Sequence, residues 1–231
     1  MNSLQIKRFL LSTSLFLTLI FSAFGQLSPL QVDSLVTDAM DKFNVAGVAV
    51  AIVKDGDIIH EKGYGVLSKQ TNKPVNQHSN FAIASNSKAF TTTALALLVE
   101  DGKINWTDKV IDHIPDLLTH RSGLGLGVGD LMFFPDGSDF TINDLLSSFQ
   151  YFKPVSAFRT QFDYDNLLYL VAGELIARKS GMTWEAFITE RIFKPLNMDN
   201  SYAALNLIED TSNLTLPHNT ATGDFKVLPN F

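Results

Sequence analysis

The sequence predicts an α+β fold, in which an antiparallel sheet with flanking helices is joined to an all-helical region. Two observations carry this prediction. Residues 45–64 contain two β-branched apolar runs around a polar turn, which is the pattern of a hairpin. From residue 81 onward the apolar residues recur at helical spacing instead. Because the strands come first and the helices follow, the order favours a helical region built onto a sheet.

Residues 1–25 have the features of a secretory signal peptide. Lys7 and Arg8 precede an apolar run at residues 9–21, and small residues close the segment. We expect cleavage after Gly25 and a secreted or periplasmic mature protein. The apolar run is short for a membrane-spanning helix, and an uncleaved membrane anchor is the alternative interpretation.

Composition excludes several function classes. The 231 residues carry 18 basic and 24 acidic side chains, for a formal net charge of −6. Removal of Lys7 and Arg8 with the signal makes that charge −8, which argues against a nucleic-acid partner. The chain has no cysteine, so it forms no disulfide and no thiolate metal site. We expect no membrane association once the signal has been removed.

The first predicted region, residues 26–80, holds the sheet part and an N-terminal helix. Ser28 and Pro29 form a cap and first-turn pair, and apolar residues then follow at helical spacing up to Phe43. The hairpin turns at residues 54–57, Lys-Asp-Gly-Asp. Its first strand is almost continuously apolar, which predicts that both faces of the strand are covered.

The second predicted region, residues 81–205, is helical and contains an irregular, glycine-rich loop at residues 120–139. Glycine or proline follows three of its helical patterns, as expected at helix C-termini. The predicted helices cover residues 86–100, 142–149, 166–179 and 184–193.

Ser85 and Lys88 form the only Ser-x-x-Lys in the chain, at the start of an apolar helical run. A helix beginning near Ser85 brings the hydroxyl and the amine onto one face, within reach of each other. A serine becomes a nucleophile when a base takes its proton, and a lysine can be that base. We therefore predict Ser85 as nucleophile and Lys88 as its activator. In the alternative interpretation Ser85 caps the helix and Lys88 is a surface charge.

Tyr164 and Asn166 form the only Tyr-x-Asn, directly before another helical pattern. A phenol at that position could exchange protons with Ser85 or with a leaving group. The Asn166 amide could hydrogen-bond Lys88 and a substrate amide. Taken without Ser85, the pair is also explained as a packed ring and a helix cap.

In this order, the motifs resemble those of the serine β-lactamase and penicillin-binding protein family, in particular its class C β-lactamase and esterase-like branch. The resemblance spans about residues 30–205. It is carried by FAIASNSK at residues 81–88, LLTHRSGL at 117–124, FR at 158–159, FDYDN at 162–166, and the segment from Ser180-Gly181 to PLNM at 195–198.

The resemblance implies a β-lactamase/transpeptidase-like fold and an acyl-enzyme on Ser85. It also implies that Lys88 and Tyr164 handle protons, that Asn166 helps to align the reacting group, and that the Ser85 N–H forms half of an oxyanion hole. It implies no metal and no organic cofactor. His120 and Ser122 suggest a serine–histidine pair, but by resemblance residues 117–124 are a structural loop.

The third motif of the family, a Lys-Thr-Gly or His-x-Gly triplet on a strand, is not found in the sequence. Residues 54–56 read Lys-Asp-Gly but lie in the hairpin turn, and residues 221–223 read Ala-Thr-Gly without a basic residue. We therefore expect a domain that is incomplete at its C-terminus. A missing oxyanion donor costs about 3 kcal/mol of transition-state stabilisation.

Two functions follow from these observations. The first is an exported serine hydrolase that acts on a small molecule or a peptidoglycan-derived peptide through an amide or ester bond, as in a β-lactam, a D-amino-acid peptide or a small ester. The alternative is a noncatalytic peptidoglycan-binding protein, or an inactive truncated relative.

Overall fold

The computed structural model describes residues 27–109, 114–133 and 140–228. The predicted signal peptide and its cleavage site lie outside the described residues. Within them the chain divides into two compact units, one formed by residues 27–79 with 215–228 and the other by residues 80–214. The first unit holds the strands and one helix, and the second holds the other helices.

The first unit begins with helix α1, Pro29–Phe43, and its start is capped as the sequence predicts. The Ser28 side chain accepts a hydrogen bond from the Gln31 backbone, and the Gln31 side chain accepts one from the Ser28 backbone. This reciprocal pair satisfies two amides that the helix leaves without partners. Asn44 ends the helix in the left-handed conformation.

A hairpin of strands β1, Gly47–Lys54, and β2, Asp57–Gly65, follows the helix. The register runs antiparallel from Gly47 opposite Gly65 to Lys54 opposite Asp57, with one irregularity near Ile52. Two residues of positive φ make the turn: Asp55 at 53° and Gly56 at 91°. Such a turn matches the twist of the strands, so the predicted hairpin is confirmed.

The predicted cover on both faces of β1 is wrong for the part of the chain that the structure describes. The residues of β1 are half-buried or exposed, and none is buried. In the described residues β1 pairs only with β2. Without further strands beside it, a two-stranded ribbon cannot have both faces fully covered, so the apolar residues of β1 remain partly accessible.

Residues 215–228 belong to the first unit. They contain the short antiparallel strands β3, His218–Asn219, and β4, Lys226–Val227. The Leu216 amide donates to the Leu67 carbonyl at 2.9 Å, and the Lys69 amide donates to the His218 ring at 3.1 Å. These bonds join the segment to the chain directly after the hairpin.

The second unit contains five α-helices among its described residues. They are α2 (Ser87–Glu100), α3 (Ile114–Leu118), α4 (Ile142–Ser148), α5 (Leu167–Ser180) and α6 (Trp184–Ile188). A π-helical turn, Thr189–Phe193, continues α6, and short 3₁₀ turns lie at Ala84–Asn86 and Asp130–Phe133. The four predicted helices are confirmed, with ends within one or two residues of the prediction. The exception is the second half of the predicted helix 184–193, which is the π-helical turn. Helix α3 is not predicted by the sequence, because five residues are too few to show a helical period.

The core of the second unit lies where α2, α5 and α6 meet. Leu95 and Leu98 of α2 pack with Ile176 of α5 and Phe187 of α6, and all four are buried. Trp184 donates from Nε1 to the Thr91 hydroxyl at 3.1 Å, which ties α6 to α2. This packing fixes the axis of α2, so the residues at its N-terminal end are presented from a rigid support.

Candidate active site

Ser85 lies in the 3₁₀ turn that leads into α2, and its side chain is exposed. The Asn86 side chain donates to the Ile83 carbonyl at 2.9 Å and holds the turn closed. The turn begins at Ala84, whose φ is 43°. Left-handed backbone is unfavourable for a residue with a Cβ atom, and such strain is concentrated at functional sites.

Lys88 reaches back from the first turn of α2 to Ser85. Its Nζ donates to the Ser85 Oγ at 3.1 Å and to the Asn166 Oδ1 at 2.7 Å. The contact predicted from the Ser-x-x-Lys spacing is therefore present, as is the predicted contact between Asn166 and Lys88. The interpretation of Lys88 as a free surface charge is wrong, because the side chain is half-buried and bonded twice.

Asn166 stands at the N-terminus of α5 and joins two parts of the site. While its Oδ1 accepts from Lys88, its Nδ2 donates to the Asp130 Oδ1 at 3.1 Å. These two bonds orient the amide, since only one assignment of its oxygen and nitrogen serves both neighbours. Asp130 lies within the glycine-rich loop, and the Gly127 amide of the same loop donates to the Tyr164 carbonyl at 2.8 Å.

The Tyr164 ring lies beside the Ser85–Lys88 pair. The Lys88 Nζ is 4.8 Å from the ring centroid, within the range of a cation–π contact. Hydrogen bonding with Lys88, and secondarily with Ser85, lowers the pKa of the Tyr164 phenol against the opposing effect of burial. The pKa of the phenol is thus moved toward the range that suits a general base near neutral pH.

A cavity of about 830 Å³ opens at these residues. Ser85 and Lys88 line it from the α2 side, and Asn166 and Tyr169 line it from α5. Its volume falls in the range of small-molecule sites, which are about 300–1,000 Å³. A substrate carbonyl in this cavity would have a hydroxyl, an amine and a carboxamide within its reach.

Sequence reasoning missed Asp130 and Tyr169. Asp130 follows a run of glycines that signals only a loop, so nothing in the pattern marks its carboxylate as a partner of Asn166. Tyr169 occupies a helical position, where an aromatic residue is typical of packing. Its phenol donates to the Leu118 carbonyl at 2.9 Å, and the Lys88 Nζ lies 5.2 Å from its ring centroid.

Asp165, between Tyr164 and Asn166, is fully buried. Neither carboxylate oxygen has a partner at hydrogen-bonding geometry among the described residues. Burial raises the pKa of this carboxyl to about 6, and the nearby backbone amides of Leu168 and Leu167 only partly oppose that rise. A carboxyl in such a place is favoured in its neutral form.

Asp165→Asn should therefore stabilise the protein at high pH and not at low pH. The folded state holds the Asp165 proton more tightly than the unfolded state, where the carboxyl has its ordinary pKa of 3.8. The resulting stability is present below about pH 4 and is lost as the pH rises through about 6. We expect the variant to gain about 2–3 kcal/mol in free energy of unfolding at pH 8 and little at pH 4. Urea unfolding at both pH values measures the difference.

Asp38→Asn, which removes a carboxylate at an exposed position on α1, is the matched control and is unfolded in urea at the same two pH values. An equal effect of Asp165→Asn at pH 4 and pH 8 would show that the buried carboxyl does not titrate differently in the folded state.

Ala84→Gly should stabilise the protein by about 1 kcal/mol, because glycine adopts a φ of 43° without the clash of a Cβ atom. Ala96→Gly is a control for which we expect the opposite effect on stability. It lies at an exposed position inside α2, where glycine costs about 1 kcal/mol. Urea unfolding of both variants should give shifts of opposite sign, and a loss of stability in Ala84→Gly would argue against strain at this turn.

The β-lactamase family profile matches residues 32–228, which is most of the chain. This chain belongs to the β-lactamase family. Its fold is that of class C β-lactamases and penicillin-binding protein homologues. The predicted family and the predicted β-lactamase/transpeptidase-like α+β fold are thereby confirmed.

The chain is also similar to individual proteins. The unguisins hydrolase ungD' of Aspergillus campestris is 32% identical over 200 residues, covering 77% of this chain and 37% of that protein. A β-lactamase of Pseudomonas fluorescens is 30% identical over 182 residues, covering 75% of this chain and 50% of that protein. The crystal structure of D-amino acid amidase from Ochrobactrum anthropi is 26% identical with a TM-score of 0.67, covering 79% of this chain and 54% of that one.

This chain of the β-lactamase family therefore spans between about a third and about half of the length of these relatives. Across residues 27–109, 114–133 and 140–228, no helix has the length and apolar character needed to cross a membrane. In the same residues no three His, Asp or Glu side chains are grouped so that they could hold a metal ion.

Proposed function

We propose that the protein is an exported serine hydrolase that forms an acyl-enzyme on Ser85 from an amide or ester substrate. The observation that carries the proposal is the position of the Lys88 amine, bonded to the Ser85 Oγ at 3.1 Å and to the Asn166 Oδ1 at 2.7 Å. A nucleophile, a proton-handling group and an orienting group in mutual contact are the signature of covalent catalysis. Tyr164 supplies a second proton-handling group at the same place.

In the proposed reaction the Ser85 Oγ attacks the substrate carbonyl carbon, and its proton passes to Tyr164 or Lys88. The bond from that carbon to the leaving nitrogen or oxygen then breaks, and the same proton passes to the leaving group. A water molecule then attacks the ester carbonyl carbon, and one of its protons passes to Tyr164 or Lys88. The bond from that carbon to the Ser85 Oγ breaks, the proton passes on to Oγ, and the carboxylic acid product leaves. The Tyr164 phenol is suited to the first transfer, because Lys88 and Ser85 lower its pKa. No cofactor takes part in the proposed steps.

The substrate class that we propose is a β-lactam, a D-amino-acid peptide or a small ester. Three similar proteins support it by their names: a β-lactamase, a D-amino acid amidase and an unguisins hydrolase. The cavity beside Ser85 is large enough for a small molecule or the end of a peptidoglycan-derived peptide.

Export is proposed from the sequence of residues 1–25, with cleavage after Gly25 and release into the periplasm or the medium. The mature net charge of −8 supports a protein that binds neither nucleic acid nor a membrane surface.

A noncatalytic peptidoglycan-binding protein is the second candidate. One observation favours it: the cavity beside Ser85 is large enough to hold the end of a wall peptide, and reversible binding there would need no reaction at Ser85.

Intact-mass analysis of the purified full chain tests the two candidates. The protein is incubated with a penicillin and, separately, with an activated ester, and the labelled peptide is then identified. An adduct on the peptide that contains Ser85 supports the hydrolase, and its lifetime separates a hydrolase from a penicillin binder. A folded chain that binds wall peptides reversibly and forms no adduct would favour the second candidate instead.

A further inference from the structure

His120 occupies a left-handed turn after α3, with a φ of 57°, and its side chain is 8% exposed. The segment that precedes α5 is bound to this turn. The Asp163 amide donates to the His120 carbonyl at 2.8 Å, and the Arg159 amide donates to the Arg121 carbonyl at the same distance. The backbone of His120 therefore helps to hold the segment that carries Tyr164 in place.

The imidazole of His120 stacks on the Tyr164 ring. The two centroids are 4.3 Å apart and the planes differ by 26°. Phe162 meets the imidazole edge-on at 5.4 Å, and Tyr169 meets it at 5.5 Å with a tilt of 35°. A ring bounded by three aromatic neighbours has little freedom to turn, and the Tyr164 ring that lies on it is restrained as well.

The Asp165 amide selects the tautomer of a neutral His120 ring. It donates to Nδ1 at 3.1 Å, so the proton of a neutral ring lies on Nε2. Burial first, and then the charge of Lys88, lowers the pKa of His120. The titratable groups around the ring are Lys88 of α2, Tyr164 and Asp165 on the segment entering α5, and Tyr169 of α5 itself. A second proton, on Nδ1, would point at the Asp165 amide and would add positive charge near Lys88.

We propose that His120 is a positioning residue for Tyr164. The flat face of its imidazole sets the plane of the Tyr164 ring and keeps the phenol beside Lys88 and Ser85, while the hydrogen bond from the Asp165 amide to Nδ1 stabilises the turn. The chemical role of Tyr164 rests on the proposed function, but the positioning itself does not. Small displacements of a proton-transfer group slow a reaction strongly, because transfer requires hydrogen-bonding distance.

Two substitutions separate the ring contact from the hydrogen bond. His120→Phe keeps a flat ring under Tyr164 but leaves the Asp165 amide without its acceptor. His120→Gln keeps an acceptor but removes the ring. His78→Gln, at an exposed position in the other unit, is the control. The Tyr164 phenol is titrated by tyrosinate absorbance, with the spectrum of Tyr164→Phe subtracted, and the acylation rate is measured in a single turnover with an activated ester.

In His120→Gln we expect the Tyr164 titration midpoint to rise toward the ordinary value near 10, and acylation to slow by about ten-fold or more. In His120→Phe we expect the wild-type midpoint and a rate within about three-fold of wild type, although the melting temperature falls by a few degrees. The Tyr164 midpoint and the acylation rate thus separate the two variants, which a purely structural role for His120 does not predict.

Two results would overturn the proposal. One is a His120→Gln protein that titrates and acylates like wild type. The other is an equal loss of rate in both variants with an unchanged Tyr164 midpoint. If wild type itself forms no adduct, the proposed function fails, but the Tyr164 midpoints still decide whether His120 positions the ring.

Discussion

Ser85→Ala should abolish covalent labelling by a penicillin or an activated ester. The Ser85 Oγ is exposed, is bonded to the Lys88 amine and opens on the cavity, so its loss removes the atom that would carry the acyl group. Removing the nucleophile from an acyl-transfer site eliminates the covalent route. Any reaction that remains is slow and is promoted only by substrate binding. Intact mass after incubation measures the adduct, and reversible binding of the same compound should persist.

Ser87→Ala is the matched control for this result. Ser87 is two residues further on, lines the same cavity and has the same side chain, but Lys88 bonds to Ser85. We expect Ser87→Ala to be labelled at close to the wild-type rate. A label that persists in Ser85→Ala, on any other residue, would contradict the proposed nucleophile.

Lys88→Met should slow acylation by about 1,000-fold and should also change the titration of Tyr164. The substitution keeps most of the length of the unbranched side chain but removes the amine that contacts Ser85 and Asn166. Positioned proton-transfer groups contribute about 100- to 10,000-fold to rate. Because Lys88 is the main cause of the lowered pKa of the Tyr164 phenol, that pKa should rise toward its ordinary value near 10.

Single-turnover acylation and tyrosinate absorbance measure the two effects in the same protein. Lys103→Met, at an exposed position beyond α2, is the control and should leave both unchanged. If the Tyr164 titration moves while acylation does not, then Lys88 affects the phenol without taking part in the reaction. An unchanged rate would exclude Lys88 as the activator of Ser85.

The contacts of the candidate site were predictable where they follow from local geometry. Ser85 and Lys88 are three residues apart at a helix start, and that spacing alone brings their side chains together. The contact between Lys88 and Asn166 could be expected once the order of the two motifs suggested the family. The contact of Asp130 with Asn166 and the stacking of His120 on Tyr164 could not be found in this way. Each joins two segments that are far apart in the chain, and the loop that holds Asp130 and His120 has no regular spacing of apolar residues.

The sequence by itself determined four of the five described α-helices of the second unit, the capped start of α1, the hairpin turn at Asp55 and Gly56, and the family to which the chain belongs. These depend on periodicity and on backbone preferences, which act over a few residues. Only the tertiary structure decided the orientation of Asn166 between Lys88 and Asp130, the burial of Asp165, and the neutral tautomer of His120. The physical reason is that burial and hydrogen-bond partners come from residues far away in the chain, and packing alone brings them together.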